Sequence, residues 1–520
     1  MAVREAILSL LGLLLLLGAA PLQAQAPVAG PVVAMAGPLQ AAPTQAHERA
    51  DGQPAPTAEA DQEEGHAWRV PLWAVLPFVL MLLTIAVAPL VNEHWWENNR
   101  NRGLVSAVLG LPVVAFTLLD APDPGHTIGH SLQEYLSFIF LLGSLFTISG
   151  GIVIRGNLIG RPSVNAGFLA VGGLLASFIG TTGAAMLLIR PLLKTNEERT
   201  HKLHTVIFFI FIVCNCGGCL TPLGDPPLFL GYLKGVPFEW TFGLWPEWLF
   251  VCGSLLGIYW VIDTLRYRKE PPRALSEDVA HERPLVVRGA HNFLFLGGVV
   301  AAVALSLPFG LREGVMALST FLAFRSTRPD YRHQNEFSFG PILEVIVVFA
   351  GIFATMIPAL ALLNAEGANM GVATPSAFFW ATGTLSSFLD NAPTYLSFLE
   401  MAAGIDHWSA DLANQVLVFT KGHAHIEPVL THAQAVQHVV QQGWPTDNTI
   451  YVIPVDILRA ISLGAVFMGA MTYIGNGPNF MVRAIANEAG LKMPSFFGYM
   501  LWSVFILLPI LVVHVLLFVA

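Results

Sequence analysis

The chain has 520 residues, 54% of them hydrophobic and only 12% charged, with mean hydropathy +0.61 and a formal net charge of −9. Its acidic balance gives no footing for nucleic acid, and its uncharged runs of about 20 residues, the length of a helix that crosses a hydrocarbon layer, exclude a soluble globular domain. Cys214, Cys216, Cys219 and Cys252 all lie inside apolar segments, which excludes a disulfide-stapled scaffold.

At the amino terminus, Arg4, an apolar run over 7–20 and the small residues Ala24 and Ala26 read as a secretory signal. Pro27 disfavours cleavage after Ala26, so residues 1–24 are the expected signal peptide. Residues 25–68, rich in Ala, Pro, Gln and Glu, bury too little to fold and read as a disordered periplasmic lead.

With that lead outside, a span at 71–91 runs inward to Arg100 and Arg102, and spans near 103–120 and 133–153 return the chain inside at Arg155 and Arg161. Segment 163–194 has basic residues on both flanks and Gly180-Thr181-Thr182-Gly183 at its centre, so it reads as a re-entrant hairpin. A span from Leu203 is interrupted at Thr221-Pro222-Leu223-Gly224-Asp225-Pro226-Pro227 and emerges near Lys234. A further span, 242–264, leads into the most basic loop, 265–289. The second half repeats the plan with spans at 290–308, 313–324 and 341–363 and a second hairpin, 374–403, centred on Asp390-Asn391-Ala392-Pro393. An outside insert, 404–450, a broken span over 450–490 and a closing span at 495–519 complete it.

The two hairpins align at an offset of 210 residues and the two interrupted spans at 251, which sets Gly218, Thr221, Gly224 and Pro227 on Gly469, Thr472, Gly475 and Pro478. Five crossings and one hairpin per half make the second copy upside down relative to the first. The expected fold is therefore an all-α polytopic membrane protein of two inverted repeats, 71–264 and 290–519.

Pro226, Pro227 and Gly224 stop a helix at a depth where lipid offers no partners for the freed backbone groups, and the expectation is that a cation or polar substrate fills the two gaps. Asp225 and Asp390 are intramembrane carboxylates, each costing about 3 kcal/mol to insert, and such groups are usually functional. With Thr181, Thr182, Thr221, Gly224, Asn391, Thr472, Gly475 and Asn476 they form the expected cation or substrate site, in which Asp225 and Asp390 are the expected sodium ligands. A carboxylate that holds either a proton or a metal cation couples the two by competition, so Na+ and H+ are the expected ions.

The segments Ser387-Phe388-Leu389-Asp390-Asn391-Ala392-Pro393-Thr394 and 217–227 resemble the ion-transporter superfamily, which includes NhaD-type sodium/proton antiporters and the citrate and dicarboxylate carriers. The resemblance covers residues 71–519. It implies a homodimer in a bacterial inner membrane, with a scaffold, a mobile transport part and a site between hairpin tips and broken helices. The dicarboxylate carriers have Ser-Asn-Thr at both tips, which this chain lacks, so sodium/proton antiport is the expected function and sodium-coupled citrate or other carboxylate transport the alternative. An enzyme would show a catalytic pair such as Ser and His near one interface, and the sequence offers none.

Other features have plainer readings. The cysteines near the first break read as small packing residues. His407, His423, His425, His432 and His438 sit in the insert, which is expected to be a solvated, partly helical loop. Asp456 and Arg459 are one helical turn apart and should neutralise each other. Glu344 and His514 read as interfacial or packed.

Overall fold

The computed structural model describes residues 68–519 apart from 430 and 445–448. The expected signal peptide and almost all of the lead lie outside the described residues. Pro77 starts α1 (Leu76–Val91), the Asn98 side chain caps α2 (Asn99–Asp120) by accepting from Arg100 N, and Asp123 caps α3 (Pro124–Ser149) by accepting from His126 N at 3.0 Å. Eight helices among the described residues are long and apolar enough to cross a membrane. The fold is thus helical and polytopic, as the composition required.

The chain turns back on itself at Gly180. Helix α4 (Pro162–Ile179) ends and α5 (Thr181–Thr195) begins there, and Gly180 holds φ +80°, a backbone conformation that only glycine adopts freely. The far ends of the two helices meet: Asn165 and Asn196 exchange amide hydrogen bonds at 2.8 Å, and Arg199 donates to Gly160 O at 3.1 Å. Length and apolarity alone would mark α4 as a full crossing, but its continuation through Gly180 makes it one arm of a hairpin.

The next span breaks. Helix α6 (Leu203–Ile212) passes through a 3-10 turn at Cys216–Leu220 and an irregular stretch before α7 (Pro226–Lys234). Of the residues in Leu203–Leu220, 94% are buried, against 22% in α2, which puts the break at the centre of the molecule and α2 at its rim. Helix α8 (Trp245–Tyr267) follows, and α9 (Pro272–Ala280) leads to strand β2 (Arg283–Arg288). Strand β2 pairs antiparallel with β1 (Val153–Asn157), so the two basic segments near Arg155 and Arg288 lie at one end of the molecule.

The second half runs through α10 (Asn292–Ala304), α11 (Leu311–Ser326), α12 (Pro329–Gln334) and α13 (Gly340–Glu366). Its hairpin is α14 (Pro375–Phe388) and α15 (Asn391–Ala403), whose distal ends meet through the rings of Phe378 and Phe398, 6.4 Å apart.

The insert corrects the expectation of a solvated loop. Strands β3 (Val416–Thr420), β4 (His423–Glu427) and β5 (Tyr451–Pro454) form an antiparallel sheet in the order β4-β3-β5, with α16 (His432–Gln441) packed on it. Val416, Val418, Val439, Val452 and Ala435 give it an apolar core of its own. The short apolar runs over 416–419 and 451–453, of strand rather than helix length, carried this signal.

Strand β5 leads directly into α17 (Val455–Met468), a short 3-10 turn at Gly469–Met471 and α18 (Gly477–Glu488), which is the second broken span. The closing segment, α19 (Phe496–Phe518), contains π-helical turns. Asp456 does pair with Arg459 at 3.2 Å, but Arg459 also reaches the buried Glu247 of α8 at 3.2 Å. Glu344 pairs with Arg102 at 2.9 Å, and His514 is buried among Phe379, Phe467 and Phe518.

Candidate functional site

Each broken span is stitched to the hairpin of its own half by the same three hydrogen bonds. In the first half Ser177 Oγ donates to Gly217 O at 2.5 Å, Thr221 Oγ1 donates to Ser177 O, and Leu223 N donates to Thr221 Oγ1 at 3.1 Å. In the second, Ser387 Oγ donates to Met468 O at 3.1 Å, Thr472 Oγ1 to Ser387 O at 2.5 Å, and Ile474 N to Thr472 Oγ1 at 3.2 Å. Both breaks also fold back tightly: a Cβ on Gly224 would sit 1.9 Å from Gly218 O, and one on Gly475 would sit 2.6 Å from Gly469 O. No larger residue fits either approach.

The two breaks and the two hairpin tips meet at Asp225. This carboxylate is 1% exposed. Its Oδ1 accepts from Thr181 Oγ1 at 3.0 Å and from Asn476 Nδ2 at 3.0 Å, and its Oδ2 accepts from Asn391 Nδ2 at 2.7 Å. Thr181 comes from the first tip, Asn391 from the second and Asn476 from the second break, so one carboxylate gathers donors from three elements. All three donors are neutral, and no Lys, Arg or His among the described residues lies within 4.0 Å of the carboxylate. Asn391 Oδ1 is buried beside it with no hydrogen-bond partner among the described residues.

The other expected residues have different surroundings. Asp390 is half-buried and caps its own helix, Oδ1 accepting from Ala392 N at 3.0 Å. Thr221 and Thr472 use their hydroxyls on hairpin backbone and stand one step back from Asp225. Thr182 lines a cleft of about 70 Å³ with Gly180, Leu223 and Gly224, facing Ile342 and Val345 of α13.

The backbone at the breaks corrects one expectation. Most carbonyls freed there are met by protein donors rather than left for an ion. Gly217 O accepts from Ser177 and from Trp248 Nε1 at 3.2 Å, Leu220 O from Thr241 Oγ1 at 3.1 Å, Cys214 O from Asn476 at 3.0 Å, and Gly224 O from Thr181 N at 2.8 Å. The break carbonyls are thus largely paired within the protein, and it is the Asp225 carboxylate that stands without a basic partner among the described residues.

Sequence reasoning missed Asn215 and Asn479. Both are fully buried. Asn215 Nδ2 donates to Asn479 Oδ1 at 2.7 Å, and Asn479 Nδ2 donates to Gly469 O at 2.9 Å and Thr472 O at 3.0 Å. Their positions do not correspond under the 251-residue offset, so the repeat gave no signal for them. A buried amide inside an apolar run was the available clue.

A second polar cluster lies at the other ends of α7 and α15. Lys234 Nζ stands 3.1 Å from Glu134 Oε1 and 3.5 Å from Glu400 Oε1, and Tyr451 OH donates to Glu400 at 2.7 Å. The cluster lines a cavity of about 390 Å³. Both half-helices therefore run from the Asp225 group to this cluster.

A family model described as "Putative citrate transport" matches residues 67–519. The chain belongs to that family. The match spans both halves, both hairpins and both breaks, so the family is one of multi-pass membrane transporters and the Asp225 group lies within the region it defines. No curated protein matches the chain.

Proposed function

We infer that the chain is a secondary transporter that exchanges sodium for protons at Asp225. The observation that carries this is the buried carboxylate with three neutral donors and no basic partner. An ionised carboxylate out of water without a counter-charge costs several kcal/mol, and either a proton or a small cation removes that cost. The two cannot occupy it together, which is the requirement for exchange. Asn391 Oδ1 supplies an adjoining oxygen of the kind that sodium takes and a proton on Asp225 does not need.

On this reading Thr181, Asn391 and Asn476 hold the carboxylate in place, while Thr221 and Thr472 hold the breaks against the hairpins. Asp390 adds negative charge at the second tip and Thr182 faces the route through the small cleft. Gly224 and Gly475 supply the tight backbone approach that lets the half-helices meet. The bacterial inner membrane, a periplasmic mature amino terminus and a homodimer belong to the same reading.

Sodium-coupled uptake of citrate or another carboxylate is the second reading, favoured by the description of the family. Four half-helices, α5, α7, α15 and α18, begin at this locus, and helix amino termini favour anions. Purified protein in proteoliposomes, given a pH gradient and then Na+, Li+, K+ or labelled citrate, separates the two. Sodium-driven proton movement without citrate supports exchange, and sodium-dependent citrate accumulation replaces it with the second reading.

A further inference from the structure

The two breaks are alike in backbone and differ in two side chains that carry amides at the second break only. Under the 251-residue offset Gly218, Thr221, Asp225 and Leu228 correspond to Gly469, Thr472, Asn476 and Asn479. At the second break the Asn479 amide donates to Gly469 O at 2.9 Å and to Thr472 O at 3.0 Å. At the first, Leu228 offers no donor. Gly218 O accepts from no side chain among the described residues, and Thr221 O is taken by Gly224 N at 3.0 Å. The second break thus has a tethered N–H pair on its carbonyls and an amide, Asn476, in place of a carboxylate. The first has a carboxylate and no such plug.

The orientation of the Asn479 amide is fixed from both sides. Its nitrogen must face two carbonyl acceptors, and its oxygen accepts from Asn215, whose own nitrogen is held by Ile210 O at 2.8 Å. Reversing either amide would set nitrogen against nitrogen or oxygen against oxygen. Asn479 is 0% exposed, so the plug is closed off from the molecular surface.

We propose that the chain binds one sodium ion, at the Asp225 break, and that Asn479 fills the second break with its own amide where a symmetric transporter would need a second cation. Asn215 is the positioning residue that keeps the plug in place. The proposal rests on the cation reading of Asp225 and fixes its stoichiometry.

Equilibrium binding of radiolabelled sodium to the purified full-length protein at alkaline pH tests it. One ion per chain with a hyperbolic isotherm is expected. Asn479→Asp converts the plug to a carboxylate and is expected to raise the count to two per chain. Leu228→Asn, which copies the plug into the first break, is expected to weaken sodium binding by more than tenfold in protein that still elutes as a single species. Two ions per chain in the unmodified protein, an unchanged count in Asn479→Asp, or unchanged affinity in Leu228→Asn would each overturn the proposal while leaving the cation reading standing. No sodium bound by the unmodified protein would overturn the cation reading itself.

Discussion

Asn391 donates to Asp225 Oδ2 at 2.7 Å across 166 residues of chain, joining the second hairpin tip to the first broken span. Neither half closes the site alone. A change in the charge on Asp225 is felt at once by both tips and both breaks, because Thr181, Asn391 and Asn476 share its two oxygens.

Asp225→Asn removes the exchangeable charge and should abolish sodium-driven proton movement, a loss of at least 100-fold in initial rate in proteoliposomes. Asp390→Asn should behave differently. Asn caps a helix as well as Asp does, so α15 stays intact and a measurable rate remains, with weaker sodium affinity. Equal loss in both variants would show that the two carboxylates work as a pair.

Asn391→Ala deletes a hydrogen bond to a charged group, worth about 1.5–3 kcal/mol. The sodium concentration for half-maximal exchange should rise by roughly 10- to 100-fold, by the ordinary conversion of free energy to affinity. Titrating exchange against sodium checks it, and an unchanged midpoint would remove Asn391 from the site.

Gly224→Ala and Gly475→Ala probe the close approach at the breaks. The added methyl would stand 1.9 Å from Gly218 O in the first and 2.6 Å from Gly469 O in the second, so both should lower the melting temperature in detergent, the first more severely. The ranking is the test.

Lys234→Met should strand Glu134 and Glu400 in a buried cluster without their ammonium, costing about 3–5 kcal/mol of stability. Adding Glu134→Gln to Lys234→Met should recover part of the loss. Thermal denaturation of the two variants side by side decides whether the lysine acts through these charges.

Glu270, beyond the end of α8, carries a pH signature. Burial alone would raise its pKa, but backbone N–H groups of Thr200 and His201 and the charge of Arg199 outweigh it and hold the carboxyl below its usual range. A depressed carboxylate contributes stability above the unfolded-state value, and that contribution is lost as pH falls through the folded-state value. Glu270→Gln should therefore melt lower than the unmodified protein at neutral pH, and the gap should close in acid.

The insert shows where sequence reading stopped short. Residues 404–450 have no long apolar run, so hydropathy reported only that they are not a span. That Val416, Val418 and Val452 share a core depends on pairing β3 with a strand more than thirty residues away, which no local pattern specifies. The Arg199–Asp263 pair at 2.6 Å, buried between the first hairpin and α8, was hidden in the same way.

Sequence alone determined that the chain lies in a membrane, that it turns back at Gly180 and between Phe388 and Asn391, that two spans break, and that Asp225 stands at one break. Apolar length, glycine and proline are local properties, and lipid enforces them because it offers backbone groups no hydrogen bonds. Tertiary structure decided how the breaks are satisfied. The donors to Asp225 and the amide that fixes the plug come from residues distant in sequence, and only packing the two halves together brings Asn391 and Asn476 onto Asp225 and Asn215 onto Asn479, at 2.7–3.0 Å.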